Sequence, residues 1–442
     1  MRNAYLKKII FKNFRIVDTH SDFYGSIIVE DGLIKEIVAD VRNSADGAMT
    51  IDSRAFDAPV VLMPAFIDLH AHFRDPGFSE TEAPLPKEVP HPKEVPLPAE
   101  VLESASLAAV AGGYTTVVCM ANTNPVIDTI EKVRNLKTRS DALGLVDLYP
   151  VLSLTKNMEG RELSEINDAS IKDLSAAGVL MLSEDGKDVA DDDLFLAAMK
   201  KAKQLGIPIS CHCDLGGEND AVRRAIELGK KAGCHIHIAH VSTKEAAEII
   251  REAKKDISAA NGFSLTCEAT PHHIGATEAD ARRMGEKSFG RVNPPLRTEA
   301  DRLAIIAAIY DKTIDAIATD HAPHRTADKA AGTPGFSGLE TAFAISLSNL
   351  MDNTVHKIGL QRLSALMSAN PAQILGLQDR GRIAAGLRAD MVIASYMTPW
   401  TVDPDNFKSR GKCSPFAGMK LREKILMTLN AGRIVYGGDG IV

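Results

Sequence analysis

The sequence has little of what marks secreted, membrane-embedded or nucleic-acid-binding proteins. Its six cysteines form no CxxC pair and no disulfide-framework spacing, which is typical of reduced thiols in a cytoplasmic protein. No apolar run approaches the roughly 20 residues of a membrane span, and the first residues lack the apolar core and cleavage site of a signal peptide. The net charge of −7 gives no electrostatic reason to expect nucleic acid. These absences favour a cytoplasmic protein with neither nucleic-acid nor membrane partners.

Both ends of the chain have the pattern of short β-strands. The β-rich runs cover residues 7–12, 25–30, 33–38, 390–394, 424–429 and 433–436. Between the second and third runs, Glu30-Asp31-Gly32 has the composition of a tight hairpin turn. We predict a small β-sandwich domain assembled from residues 1–58 and 376–442.

The middle of the chain alternates short apolar runs with helical stretches. The runs cover residues 65–69, 115–120, 147–152, 178–182, 207–211, 235–239, 264–269 and 314–318. The helical stretches between them include residues 99–111, 191–205, 219–232 and 243–259. Eight such units predict an α/β fold, a closed (β/α)8 barrel of the TIM type, over residues 59–375. The alternative, an open doubly wound sheet, usually has a glycine-rich phosphate loop after its first strand, and none follows here.

A proline-rich segment interrupts this alternation after the first strand. Residues 82–100 contain six prolines, which excludes a helix interior and predicts an extended loop. A loop in this place lies on the catalytic face of a barrel. We interpret His91, inside the segment, as a solvated loop histidine because loops run over the surface.

Five of the eight apolar runs end in a histidine or a carboxylate. Barrel active sites gather at the C-terminal ends of the strands, so these side chains are expected to converge on one point, as ligands of a divalent metal do. His70 and His72 are two positions apart, which places both on one face of an extended strand. The six candidate ligands are His70, His72, Asp185, His212, His240 and Asp320.

Six candidate ligands fit two metal ions better than one, because a catalytic zinc usually takes three protein ligands and a water. A carboxylate between two ions can bridge them. Asp185 is the candidate bridge, and the neighbouring Glu184 is an alternative that spacing does not exclude. Cys211 and Cys213 flank His212 but face away from it on a strand, so we interpret both as packing residues.

Asp320 is also the candidate acid–base group. A carboxylate beside a metal can take a proton from water and return it to a leaving nitrogen. His321 and His324 follow it closely, and we expect at least one of them to support the metal ligands or to face the substrate.

Other residues are candidates for holding a substrate. Arg74 has the same strand parity as the two histidines before it, and its planar fork suits a carboxylate. Asn122 follows the second apolar run, and Asn293 opens the segment NPPLR at 293–297. Each is a further candidate for holding the substrate, but each could be a turn residue instead. The histidines at 272–273 stay unassigned, because the proline before them could turn them away from the site.

Seven segments together resemble dihydroorotase of the longer, bacterial class I type, a family of the amidohydrolase superfamily. They are HAHFRDPG at 70–77, GGYTTVVCMANTNP at 112–125, SEDG at 183–186, IAHVST at 238–243, TPHH at 270–273, NPPLR at 293–297 and TDHAPH at 319–324. The resemblance runs through nearly the whole chain. It implies a (β/α)8 barrel with a β-sandwich from both termini. It also implies reversible interconversion of N-carbamoyl-L-aspartate and L-dihydroorotate in pyrimidine synthesis.

Carried over by position, the resemblance implies roles for the candidate residues. One zinc ion would be bound by His70, His72 and Asp320, a second by His212 and His240, and both would be bridged by Asp185. Asp320 would also act as base and acid. The substrate would be held by Arg74, Asn122, Asn293 and His324 and by the backbone at Pro334 and Gly335. We further expect a homo-oligomer to which aspartate transcarbamoylase could dock as a partner.

Two features depart from the family, and two alternatives remain. The proline-rich segment is not typical, and the interval from His212 to His240 is shorter than usual. Both lie where substrate access is controlled.

Hydantoinases and allantoinases resemble this chain but commonly bridge their metals with a carboxylated lysine after the fourth strand, where this sequence has no lysine before Lys187. A non-catalytic relative that keeps the barrel for assembly is the other alternative, although such proteins usually lose ligands.

Overall fold

The computed structural model describes residues 8–40, 48–77, 101–256, 261–283, 290–353 and 355–437. Within them, a parallel barrel and a sheet from both chain ends account for nearly all strands. The proline-rich loop predicted at 82–100, together with His91, lies outside the described residues.

The two chain ends combine into one eight-stranded sheet. Its strands are Lys8–Val17, Asp22–Glu30, Leu33–Val38, Met49–Asp52, Val60–Pro64, Met391–Ser395, Lys424–Asn430 and Arg433–Gly437. The predicted hairpin turn is present, with Asp31 at φ 51° and Gly32 at φ 81°. Phe11, Phe14 and Met391 belong to a hydrophobic core distinct from that of the barrel, which supports a separate terminal unit.

One strand refines the expected boundary between the two units. Val60–Pro64 was assigned by sequence to the barrel region, but it pairs with Lys8–Val17 and Met391–Ser395 of the terminal sheet. Its fully buried VVLMP sequence gives no alternation that would distinguish a barrel strand from a sheet strand. The division into residues 1–58 with 376–442 and residues 59–375 otherwise stays a prediction.

The barrel contains the eight predicted strand positions. Its strands are Phe66–Ala71, Tyr114–Cys119, Asp147–Pro150 with Leu152–Ser153, Leu182–Ser183, Ile209–Cys211, His235–Ile238, Ser264–Ala269 and Ala316–Ile317. Neighbours along the chain pair in parallel. The eighth strand returns to the first through a parallel bridge between Ala71 and His321, and His72 N donates to His321 O at 2.7 Å. The predicted fold class is therefore confirmed.

The α-helices are Leu102–Ala111, Ile130–Leu143, Ile171–Ala177, Asp192–Leu205, Glu218–Ala232, Lys244–Lys255, Pro271–Gly275, Glu278–Arg283, Glu299–Tyr310, Thr326–Ala330, Ala342–Met351, Leu360–Ser364 and Asn370–Ile374. Asp192–Leu205 illustrates why they form. The Asp191 side chain caps its N-terminus, Gly206 at φ 65° ends it, and its buried side chains recur at helical spacing. Among the described residues, no helix is both long and apolar enough to span a lipid bilayer.

Candidate active site

The first three candidate ligands meet at the end of the first barrel strand. His70 Nε2 lies 3.2 Å from Asp185 Oδ1, and His72 Nε2 lies 3.4 Å from Asp185 Oδ2. Asp320 Oδ1 adds a second carboxylate, 3.2 Å from His72 Nε2 and 3.7 Å from His70 Nε2. All four side chains are buried. The strand ends therefore bring two imidazoles and two carboxylates together in a small space.

The remaining two candidate ligands lie on the other side of Asp185. His212 Nδ1 is 3.5 Å and His240 Nε2 is 3.8 Å from Asp185 Oδ1, and the two ring nitrogens are 3.0 Å apart. Asp185 thus contacts all four histidines. The sulfurs of Cys211 and Cys213 lie against backbone carbonyl oxygens, and both residues belong to the barrel core, as expected of packing residues.

The chemistry of this donor set fits a divalent metal. His70 Nε2 and Asp185 Oδ1 are buried and, although they are 3.2 Å apart, neither makes a hydrogen bond of good geometry with a described residue, and an unsatisfied buried polar group costs about 1–3 kcal/mol. Imidazole nitrogen and carboxylate oxygen are the usual ligands of zinc and similar ions. Two groups of three, His70 with His72 and Asp185, and Asp185 with His212 and His240, each have ligand atoms within 4.8 Å of one another.

The backbone turns sharply at three site residues. Arg74, His240 and Asp320 have φ angles of 56°, 34° and 48°, in the left-handed region that side-chain-bearing residues rarely adopt. Such conformations persist only where surrounding contacts hold them. For Asp320 the contact is its backbone N–H, which donates to His70 O at 2.9 Å. The turns redirect these side chains at the point where the strands end.

Glu184, the alternative bridge, is occupied elsewhere. Its carboxylate accepts hydrogen bonds from Leu154 N at 2.9 Å, from Thr155 N at 3.0 Å and from the Thr155 hydroxyl. It therefore fixes the end of the third strand, while Asp185 faces the histidines.

Asn122, predicted to hold the substrate, contacts two candidate metal ligands. Its Oδ1 lies 2.8 Å from His72 Nδ1, and its Nδ2 lies 3.4 Å from Asp185 Oδ2. An acceptor on Nδ1 leaves Nε2 of His72 free for a metal. The structure thus places Asn122 where it orients His72, a position that its place in the motif did not reveal.

Sequence reasoning missed two buried carboxylates beside His70. Glu268 Oε1 lies 3.0 Å from His70 Nδ1. Burial acts to raise the pKa of Glu268, but hydrogen bonds with His237 and His70 outweigh it and lower the pKa to about 2. Asp68 accepts from Thr319 N at 2.9 Å and so ties the first strand to the eighth, and burial raises its pKa to about 7. The signal was polar residues at alternate positions of otherwise apolar strands.

Arg74 and His324 lie together, as expected of substrate-facing residues. Arg74 Nη2 donates to His324 Nε2 at 3.1 Å, and Arg74 Nε is buried without a partner among the described residues. Burial, and then the Arg74 charge, lower the pKa of His324 to about 3, so the ring is a neutral acceptor. His321 has a different place, because its Nδ1 accepts from Gly338 N at 3.1 Å.

Asn293 reaches the second histidine pair from a separate loop. Its Nδ2 lies 3.4 Å from His212 Nε2 and 3.4 Å from Asp214 Oδ2. The previously unassigned His273 supports this loop, because its Nε2 donates to Pro294 O at 3.2 Å. His272 is buried beside it.

The backbone of Gly335 lies close to His324, in a position that only glycine fits. Its φ is 114°, and a Cβ atom there would lie 2.7 Å from Ala322 and 3.2 Å from His324 Nε2. Its N–H donates to Arg291 O at 2.9 Å. The predicted substrate segments around Asn293 and Pro334 are therefore joined through their backbones.

Lys329 strengthens this junction. Its side chain is fully buried, and Nζ donates to Arg291 O at 3.0 Å and to Thr333 O at 2.9 Å. Burial lowers its pKa from 10.5 to about 8.

Lys329→Met is expected to raise KM severalfold and to lower the free energy of unfolding by about 1–3 kcal/mol, because Arg291 O and Thr333 O each lose a hydrogen bond. Between about pH 8 and 10.5 the unfolded lysine holds a proton that the folded one has lost, so wild-type stability should rise with pH relative to the variant. Denaturant unfolding across this range measures the difference. Lys244→Met, at a side chain that is 62% exposed, is the control. A pH-independent difference between Lys329→Met and wild type would contradict the assignment.

Comparison with known proteins agrees with this geometry. A model of the amidohydrolase family matches residues 61–435. Dihydroorotases of Clostridium botulinum and Aquifex aeolicus are 38% and 34% identical to the chain, each over 97% of this chain and 99% of the relative. The L-hydantoinase of Arthrobacter aurescens superposes with a TM-score of 0.78 at 25% identity, over 98% of this chain and 96% of its own. The chain therefore belongs to the amidohydrolase family and, within it, to the dihydroorotases.

Proposed function

We propose that the protein is a zinc-dependent dihydroorotase that interconverts N-carbamoyl-L-aspartate and L-dihydroorotate in pyrimidine synthesis. The observation that carries the proposal is the convergence of four histidines and two carboxylates from five barrel strands. Relatives that match this chain over 97% of its length are dihydroorotases. The reaction class is hydrolysis of a cyclic amide and its reversal.

The proposed ligand sets follow the measured distances. His70, His72 and Asp320 would hold one zinc ion, His212 and His240 a second, and Asp185, which contacts all four histidines, would bridge them. When bound, the metal pair lowers the pKa of water towards about 7 and polarises the ring carbonyl.

Asp320 is the proposed proton carrier. Its carboxylate, beside His70 and His72, would accept a proton from the attacking water and deliver it to the ring nitrogen as the amide bond breaks. In ring closure it would take the proton from the ureido nitrogen and return it to the departing oxygen. Asn122 would hold His72 in orientation throughout.

Arg74 and His324 are proposed to bind the substrate. The Arg74 guanidinium has a buried Nε with no hydrogen-bond partner among the described residues, and its planar fork suits a substrate carboxylate. The neutral His324 ring and the Gly335 backbone lie close together and would cover the substrate ring. Asn293 would also contact the substrate.

Arg74→Gln is expected to lower kcat/KM for L-dihydroorotate by about 10²–10³-fold, because a buried charged partner of the substrate is lost. The loss should be mainly in KM, with the metal content unchanged. Arg74→Lys should recover only part of it, since an ammonium lacks the bidentate fork. Arg161→Gln, at a side chain that is 82% exposed, is the matched control. Wild-type KM in Arg74→Gln would refute the role.

The substrate proposal is tested by assaying zinc-loaded protein with L-dihydroorotate, hydantoin and allantoin in parallel. We expect kcat/KM for L-dihydroorotate to exceed the other two by at least about 100-fold, and ring closure of N-carbamoyl-L-aspartate to proceed as well. A preference for hydantoin would instead indicate a hydantoinase, as the structural neighbour from Arthrobacter aurescens is named. Turnover of none of the three would favour a non-catalytic scaffold.

We further propose a cytoplasmic homo-oligomer with aspartate transcarbamoylase as a docking partner. Sedimentation of the purified chain, alone and with that enzyme, tests both points. A monomer that does not co-sediment would contradict them.

A further inference from the structure

A series of hydrogen bonds leads from His70 through the buried Glu268 and His237 to Thr266 and His235. Glu268 Oε1 lies 3.0 Å from His70 Nδ1, and Glu268 Oε2 lies 3.0 Å from His237 Nε2. His237 Nδ1 lies 2.8 Å from Thr266 Oγ1, which is also 2.8 Å from His235 Nε2. The side chains of His70, His237 and Glu268 are fully buried. The links of Glu268 to His70 and His237 are therefore shielded from solvent, whereas Thr266 and His235 are partly exposed.

Strand register explains how these groups meet. Thr266 and Glu268 are two positions apart on Ser264–Ala269, so both side chains point to the same face. The neighbouring strand pairs His237 with Thr266, which sets the His237 ring beside both. Burying a carboxylate is costly unless it is hydrogen-bonded. Here one oxygen of Glu268 contacts the His70 ring and the other contacts the His237 ring.

We propose that Glu268 is a positioning residue for the metal centre and that His237 holds it in place. Glu268 accepts a hydrogen bond from the Nδ1–H of His70. The Nε2 lone pair of His70 is then left facing Asp185. A neutral imidazole carries one proton, so the partner of one nitrogen decides which nitrogen can bind a metal. His237 donates from Nε2 to the other Glu268 oxygen and fixes the carboxylate plane. This inference deepens the proposed function and rests on its metal centre.

The test measures zinc affinity of the folded, metal-free protein by competition with a chromophoric chelator. Glu268→Gln and His237→Leu are expected to weaken zinc binding by about 10–100-fold, the usual effect of losing a carboxylate or other partner behind a metal-bound histidine. His237→Gln keeps an N–H donor towards Glu268 and should stay within about threefold of wild type. Asp390→Asn, at a buried carboxylate held by Arg388 in the terminal sheet, is the control.

A purely structural role predicts a different pattern. Denaturant unfolding of the metal-free variants would then show lost stability, while zinc affinity stayed within about threefold of wild type, and that result for Glu268→Gln overturns the inference. If Glu268→Gln does not fold, equal zinc affinities of His237→Leu and His237→Gln overturn it. A wild type that binds zinc without turning over L-dihydroorotate contradicts the proposed substrate alone and leaves the role of Glu268 standing.

Discussion

Asp320→Asn is expected to lower kcat by about 10²–10⁴-fold, the contribution typical of a positioned general acid–base group. Asparagine keeps the shape and an oxygen near His72, but it cannot accept a proton. Burial acts to raise the pKa of Asp320, yet the hydrogen bond with His72 and the electrostatic interaction with the neighbouring imidazoles outweigh it and hold the pKa well below its usual range. The carboxylate is therefore ionised at neutral pH, which is the form that a proton acceptor must have.

The measurement is kcat for L-dihydroorotate, normalised to bound metal because Asp320 is also a proposed ligand. Asp141→Asn, at a side chain that is 53% exposed on a barrel helix, should keep wild-type activity. A loss of less than about tenfold in a folded, metal-loaded Asp320→Asn protein would show that another group carries the proton.

Asp185→Asn is expected to have the largest effect on metal content, from about two ions per chain to one or none, with activity falling accordingly. The reason is geometric, because within the described part of the chain Asp185 is the one carboxylate that approaches all four histidines, at 3.2 to 3.8 Å. A neutral amide cannot neutralise two cations or offer them two anionic oxygens. Elemental analysis after metal loading measures the change.

Glu184→Gln is the matched neighbour for this experiment. Its carboxylate accepts from Leu154 and Thr155, so the amide should cost about 1–3 kcal/mol of stability while both metals remain bound. The opposite pattern, in which Glu184→Gln loses metal and Asp185→Asn keeps it, would reverse the assignment of the bridge.

The barrel and the convergence of the candidate ligands could be predicted from sequence because both depend on local periodicity. Eight apolar runs separated by amphipathic helices specify parallel units, and the ends of parallel strands must meet at one face. The pair His70 and His72 alone predicted little more than a polar strand end. Its meaning came from the matching positions of His212, His240 and Asp320 on other strands.

What the sequence could not predict depends on side-chain direction and on contacts between distant segments. Asp185 and Glu184 are adjacent, and only the path of the backbone sets which carboxylate faces the histidines. The contact of the Asn122 amide with His72 was likewise not apparent from the motif that contains it. The Lys329 junction joins loops that no local pattern relates.

The series of hydrogen bonds through Glu268 was not predicted, for a different reason. His237 and Glu268 lie within runs that read as apolar strands, and buried polar residues there are hidden by the hydrophobic majority around them. Thr266 and Glu268 are two positions apart on one strand, so their side chains lie on the same face. The register that pairs His237 with Thr266 then brings the three side chains together.

The central claim, a two-metal centre that acts on a cyclic amide, is tested most directly by titrating zinc into the metal-free protein while following L-dihydroorotate turnover. The account predicts no turnover without metal and a rise that reaches its plateau at about two zinc ions per chain. Full turnover in the metal-free protein, or a plateau at one ion, would contradict it.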